Sequence, residues 1–320
     1  MATDTTTIEA ELESHRRELT GYCYRMLGSG FEAEDAVQET MVRAWRGMDA
    51  FEGRSALRSW LYRIATNVCL DMAQGPQRRA RPMDLGPSSP ADSALTPLPE
   101  NTWISPVQDA HVLAAAADPA ELAAQRESIR LAFVAALQHL PPRQRAVLIL
   151  REVLRWQASE VAELLDTSVA SVNSALQRAR ATLADADLDA PGTTTMDPEQ
   201  REILARYVEA FERYDINSLV SLIHEDATFS MPPFALWLRG TDEIAKFYVG
   251  QGIGCRGSRL IATEANGCTA FGAYKPAGNG MLEPWAIQVI EVSAGRITGL
   301  HHFIDPELFT AFGLPARLEQ

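Results

Sequence analysis

The sequence predicts a multidomain chain of two all-α domains, the second built on a helix-turn-helix, followed by an α+β domain with a mostly antiparallel sheet. Three observations carry this. Apolar residues recur at helical spacing from Glu9 to about Gln74, and again from Pro119 to Leu183. Between them, PMDLGPSSPADSALTPLPENTWISPVQD (82–109) holds six prolines and no base, the composition of an extended linker. Beyond Thr195, two helical runs at about 198–213 and 216–223 give way to strand-like alternation in ATFSMP, SRLIATEA, CTAFGAYK, PWAIQVIEV and RITGLHHFI. The expected boundaries are a domain at 8–81, a linker at 82–124, a helix-turn-helix domain at 125–184, a linker at 185–196 and the α+β domain at 197–320.

A length of 320 residues suits two or three domains. The net charge of −13 argues against nucleic acid only if it is uniform, and it is not. Residues 51–81 carry six Arg against Glu52 and Asp71, and residues 125–183 carry eight Arg against five acids. Residues 82–124 hold six acids and no base. Two basic islands therefore sit in an acidic chain, and those islands are where nucleic acid is expected. Cys23, Cys69, Cys255 and Cys268 form no C-x-x-C pair and have no His at ligand spacing, so neither a disulfide framework, a metal nor a cofactor is indicated. MATDTTTIEAELESH is acidic and lacks an apolar core, unlike a signal peptide, and no apolar run reaches membrane-spanning length. A soluble cytoplasmic protein without a membrane partner is expected.

In the first island, a helix over 57–72 places Leu57, Leu61, Ile64, Val68 and Met72 in one stripe. Trp60, Arg63 and Asn67 gather on its flank, and Arg58 and Tyr62 fall on the outer face. Aromatic faces with guanidinium and amide groups between them suit unpaired bases. Packing alone also accounts for Trp60, with Arg63 laid along it. The surrounding sequence, FEAEDAVQETMVRAWRGMDAF followed by EGRSALRSWLYRIATNVCLD, resembles the second region of a bacterial sigma factor of the extracytoplasmic-function group. That resemblance implies that Asp35, Gln38, Glu39 and Arg43 dock on a coiled coil of the RNA polymerase β′ subunit. It implies that Phe51, Arg54 and Ser55 line a pocket for a base flipped from the −10 element. It also implies that Trp60, Tyr62, Arg63 and Asn67 hold the melted strand.

In the second island, ASEVAELLD, TSV and ASVNSALQRARATL read as two helices joined by a short turn, the second polar and basic on its free face. LPPRQRAVLILREVLRWQASEVAELLDTSVASVNSALQRARATL resembles the fourth region of sigma factors, with RWQASEV and TSVASV departing from the usual turn. The resemblance puts Ser171, Asn173, Ser174, Gln177 and Arg178 against base edges of the −35 element, and Arg143 and Arg180 on phosphate. It implies the polymerase core, through its β′ and β subunits, and promoter DNA as partners. It further implies that the acidic linker threads through polymerase, although a solvated spacer accounts for its composition equally well.

The final segment, LARYVEAFERYDINSLVSLIHEDATFSMPP followed by WLRGTDEIAKFYV, resembles the SnoaL-like branch of the cone-shaped NTF2-like fold. Relatives of that fold carry a carboxylate or His in their pocket. Asp226, Trp237, Tyr248, Trp285, Gln288 and His301 are the expected lining of a small-molecule site, with His224 and His302 as further candidates; no catalytic pair stands out. Strand alternation sends one of His301 and His302 inward and the other outward. The leading expectation is a sigma factor whose last domain senses a ligand or regulates in cis. A duplex-binding regulator that does not join polymerase, or a cyclase or isomerase fused to a DNA-binding segment, are the alternatives.

Overall fold

The computed structural model describes residues 5–48, 51, 56–74, 78–113, 118–184, 198–278 and 280–320. These group into two compact units, Met1–Arg79 with Ala110–Leu188, and Ala80–Asp109 with Asp189–Gln320.

The first unit is helical: α1 (Thr5–Ser14), α2 (Arg16–Leu27), α3 (Gly30–Gly47) and α4 (Leu57–Met72), then α5 (Asp109–Val112), α6 (Pro119–Glu127), α7 (Leu131–Gln138), α8 (Pro142–Leu148), α9 (Ala158–Leu164) and α10 (Val169–Ala184). The Gly-Ser-Gly break after α2 does two jobs. Gly28 takes φ 75° and donates its N–H to Tyr24 O, closing α2, while the Ser29 side chain accepts from Glu32 N and opens α3. α2 is buried without interruption from Leu19 to Leu27. Asp118 caps α6 by accepting from Ala120 N, and Pro142 sits in the first turn of α8, where its missing N–H costs nothing.

The buried face of α4 differs from the single stripe expected. Leu61, Tyr62, Ala65, Thr66, Val68 and Cys69 are buried, whereas Met72 is exposed. The reason is packing on two sides. On one side the Tyr22 and Thr66 hydroxyls are hydrogen-bonded at 2.8 Å, and on the other the Tyr62 ring lies 5.1 Å from that of Trp156, in the segment leading to α9. A helix held from two directions buries a wider arc than a one-sided stripe. The outer-face position expected for Tyr62 is therefore corrected: its ring is enclosed and its hydroxyl donates to Glu18 Oε2.

Two buried arginines cross-link the helices. Arg25 on α2 donates to Ser128 O, Ser128 Oγ and Gly21 O. Arg145 on α8 donates to Met26 O at the end of α2, to Gln138 Oε1 at 2.5 Å, and to the Gln138 and Leu140 carbonyls. Burial lowers both guanidinium groups to about 10, so both remain charged near neutral pH. In the helix-turn-helix, Glu160 Oε2 accepts from Gln157 N at the start of α9, and Ser168 Oγ accepts from Ser171 N at the start of α10. Val172, Leu176, Ala179 and Leu183 form the buried stripe of α10.

The second unit contains α11 (Pro198–Arg213), α12 (Ile216–Ser221), β1 (Ile223–Ser230), β2 (Trp237–Arg239), α13 (Thr241–Val249), β3 (Arg259–Ala265), β4 (Cys268–Pro276), β5 (Met281–Ser293), β6 (Arg296–Phe303), α14 (Glu307–Ala311) and β7 (Leu318–Glu319). The sheet runs β2-β1-β6-β5-β4-β3, with β7 pairing β5; β1 and β6 are parallel and the other pairs antiparallel. The cis Pro232–Pro233 bond lies between β1 and β2. Tyr207 and Phe211 of α11, Phe247 and Tyr248 of α13, and Phe229, Phe271 and Leu300 of the sheet belong to one apolar core.

Of the linker expected over 82–124, the part up to Asp109 also belongs to this unit, while residues from Ala110 onward belong to the helical one. Ser89 N donates to Trp237 O, Leu98 N to Pro233 O, and Ala91 N to Glu243 Oε2, while Gln251 Nε2 donates to the Ala91 and Ser93 carbonyls. Further along, Val107 N donates to Asn266 Oδ1, Gly267 N to Asp109 Oδ1, and Gln108 bridges to Ala265. Ala91 and Leu95 pack on the apolar core. A proline-rich segment cannot pair with itself, but its remaining N–H and C=O groups still need partners, and these loops and strand edges supply them.

Candidate polymerase, promoter and ligand sites

On α3, Ala33, Ala36, Val37, Thr40 and Ala44 face inward, which turns Asp35, Gln38, Glu39 and Arg43 outward together. Arg43 pairs with Glu39 at 2.7 Å and reaches Asp71 at 3.7 Å. Val42 and Trp45 share that outward arc and are 40% and 45% exposed. Sequence reasoning did not single them out. Their signal was spacing, since both fall between the inward positions.

At α4, the Trp60 ring stacks 4.9 Å from Phe51. It also lies over Gly47, where a Cβ would come within 3.1 Å of its Cζ2; a bare backbone is what lets the ring settle there. Arg54 and Ser55 fall outside the described residues. Arg63 and Asn67 are exposed one turn apart. Arg63 donates to Glu163 O at 3.4 Å and stands 3.8 Å from the Glu163 carboxylate on α9. Arg58 pairs with Glu18 at 2.8 Å and lies over the Tyr62 and Trp156 rings at 5.0 and 5.5 Å. Burial and the nearby Glu18 carboxylate push the Tyr62 phenol well above its ordinary range.

Along α10, Ser171, Asn173, Ser174, Gln177 and Arg178 are all exposed, and the Ser171 hydroxyl is hydrogen-bonded to that of Ser168. Arg180 is exposed and pairs with Glu152 at 2.6 Å, and Arg143 is exposed at the start of α8. The face left free is the one expected to read base edges.

In the α+β unit the expected lining residues separate into three groups. Asp226 is on the surface, paired with Arg239 at 3.1 Å, and His224 is exposed beside it. Trp237 is spent on the linker, its Nε1 donating to Gly86 O. His301 lies on the opposite sheet face from His302, with Nδ1 2.8 Å from Ser230 Oγ and Nε2 3.6 Å from Glu291 Oε2. The inner face instead brings together Tyr248, Gln288, Trp285 and His302. His302 stands opposite Gln288 across β5 and β6, with Phe229 4.9 Å and Trp285 6.1 Å from its ring. Tyr207 OH, a residue the sequence did not single out, donates to Gln288 Oε1 at 2.8 Å. Strand alternation separated the two histidines correctly, but the inward one is His302.

Family models divide the chain as these units do. Sigma-70 region 2 matches residues 12–79, Sigma-70 region 4 matches 130–183, and the SnoaL-like domain matches 204–300. The chain is 46% identical over 318 residues to the ECF RNA polymerase sigma factor SigG of Mycobacterium tuberculosis, covering 97% of this chain and 84% of that protein. This chain belongs to the ECF sigma factors of RNA polymerase. The sigma factor is also 28% identical to SigJ of the same organism, over 97% of this chain and 96% of that one. The crystal structure of SigJ superposes with a TM-score of 0.58 at 26% identity, covering 97% of this chain and all of SigJ. SigW of Bacillus subtilis is 27% identical over 54% of this chain. Like its relatives, this sigma factor therefore binds core polymerase and promoter DNA, and it carries a C-terminal SnoaL-like domain. No helix among the described residues is long and apolar enough to cross a membrane.

One pH response of this sigma factor follows from the inner face. Burial, and the His301 and Lys275 charges beside it, hold the His302 imidazole down at about 3. The folded chain thus refuses a proton that the unfolded chain accepts below about pH 6.5, so stability is full above that value and is lost as pH falls toward 3. At pH 5 the loss should reach about 2 kcal/mol. Thermal melts from pH 7 to pH 5 should show a falling midpoint that His302→Phe flattens; an equal slope in the variant would refute this.

Proposed function

We propose that this sigma factor engages polymerase through the outward face of α3, holds the melted −10 strand along α4, reads the −35 element with α10, and is regulated in cis by its SnoaL-like domain. On α3, Asp35, Gln38, Glu39 and Arg43 would surround Val42 and Trp45, an apolar centre with a polar rim that suits a protein partner. On α4, Phe51, Trp60, Arg63 and Asn67 offer ring faces, a cation and an amide to an opened strand, and Tyr62 joins them only when Trp156 moves away. On α10, Ser171, Asn173, Ser174, Gln177 and Arg178 would meet base edges, with Arg143 and Arg180 on phosphate.

The observation that carries the regulatory reading is the docked linker. Residues 86–109 are hydrogen-bonded along the SnoaL-like domain and place Ala91 and Leu95 on its core. A segment so held cannot at the same time run extended through a polymerase channel. The two placements exclude each other, and whatever weakens docking favours the engaged chain.

Transcription in vitro with core polymerase tests this. Ala91→Asp, which sets a carboxylate against Glu243 and the apolar core, should raise initiation at least about fivefold, as expected for docking weakened by about 1 kcal/mol or more. Deleting 198–320 should change output in the same direction. Unchanged output at every promoter from both variants would refute regulation in cis.

A further inference from the structure

The polar groups of α10 divide into engaged and free. The Ser171 hydroxyl is bonded to that of Ser168, the Thr182 hydroxyl donates to Arg178 O, and Arg180 pairs with Glu152. Asn173, Ser174, Gln177 and Arg178 are exposed, and among the described residues none of these four side chains has a hydrogen-bonding or charged partner. The buried stripe Val172, Leu176, Ala179 and Leu183 anchors the helix, so packing alone fixes the direction in which the free groups are offered.

Those groups form two rows, because residues four apart lie one above the other on a helix. Ser174 and Arg178 make one row, and Asn173 and Gln177 make the other. The second row is purely amide. A carboxamide has one acceptor oxygen and an NH2 donor side by side, and α10 carries no carboxylate that could serve as an acceptor alone.

We propose that Asn173 and Gln177 make this sigma factor specific for two adenines on one strand of the −35 element, each amide donating to N7 and accepting from the N6 amino group. This rests on the reading of α10 as the helix that meets the −35 element, and adds the base it selects. In the major groove only adenine sets an acceptor beside a donor: guanine shows two acceptors and would leave the amide oxygen unpaired, while cytosine shows one donor and thymine an acceptor and a methyl group. One helical turn separates the two amides by about 6 Å along the axis, and successive bases on a strand are about 3.4 Å apart. Two adenines no more than two steps apart therefore come within reach of both amides at once. Ala170 lies one turn before Asn173 and Ser174, Ala181 one turn after Gln177 and Arg178, and both are exposed. Their lack of bulk lets the helix approach closely enough for a short Asn to touch a base edge, and their methyl groups suit the thymine methyl of an A·T pair.

The test uses holoenzyme assembled from core polymerase and the full chain. A promoter obtained from a genomic library by transcription would be randomised over its −35 element and transcribed again. The retained sequences should hold two adenines no more than two steps apart on one strand, and 7-deazaadenine at either position, which removes N7 alone, should lower initiation about tenfold. Asn173→Ala should abolish the 7-deazaadenine effect at one position and Gln177→Ala at the other, with circular dichroism unchanged because both side chains are exposed. Retention of G·C pairs in place of the adenines, tolerance of 7-deazaadenine in the unaltered protein, or an undiminished effect in either variant would overturn the proposal. The broader reading fails differently: if Asn173→Ala, Gln177→Ala and Arg178→Ala all leave the retained −35 sequence unchanged, α10 does not read it, whereas a changed selection confined to G·C pairs strikes the adenine assignment alone.

Discussion

Arg145→Ala is expected to destabilise the helical unit by about 3–5 kcal/mol, the largest effect of any single change considered for this sigma factor. The guanidinium satisfies the carbonyls of Met26, Gln138 and Leu140 and the Gln138 side chain at once, and all four contacts are buried. Alanine leaves them orphaned and opens a cavity; each orphan costs about 1–3 kcal/mol. Arg145→Met should cost distinctly less. It refills the volume and removes a charge that burial already disfavours, as the lowering of Arg145 to about 10 shows. Urea denaturation followed by helical circular dichroism checks both. A loss of under about 1 kcal/mol in the alanine variant would mean that the α2–α8 junction is held by its apolar contacts.

Arg63→Ala and Asn67→Ala should each lower open-complex formation about tenfold or more while leaving affinity for core polymerase unchanged. Both side chains are exposed on α4, a helix away from the outward face of α3, so the two activities are separable by position. The Arg63 contact to Glu163 adds little to stability, because both groups are solvent-exposed, and so the folded chain should tolerate its loss. Permanganate footprinting at a matched promoter reads melting, and a core-binding titration reads association. Loss of core binding in either variant would return α4 to a purely structural role.

Much of this architecture was legible in residues. The helical spacing from Glu9 to Gln74 and from Pro119 to Leu183, and the strand-like alternation beyond Thr195, are local signals, and each became elements of the kind it indicates. What was not legible depended on contacts distant in sequence. Tyr62 was placed outside because helical periodicity knows one packing partner, and Trp156 is a second. Asp226 was an attractive pocket carboxylate, but it lies exposed on the surface, paired with Arg239 on the neighbouring strand. For the histidine pair, alternation gave two faces but no label for which was inner, and only the pairing of His302 with Gln288 supplied it. The linker misled most, because proline content reports what a segment cannot do alone and is silent on what a neighbouring sheet offers it.

That linker also orders events at the ribosome. Its carbonyls and N–H groups leave the exit tunnel ahead of the whole helix-turn-helix, yet their partners at Trp237, Gln251 and Asn266 follow more than a hundred residues later. At roughly 5–20 residues per second, the segment waits on the order of ten seconds in an undocked state. A nascent chain is thus born with its linker free, and the closed arrangement is acquired last. Each newly made molecule therefore begins with this segment undocked, and its SnoaL-like domain supplies the docking partners last.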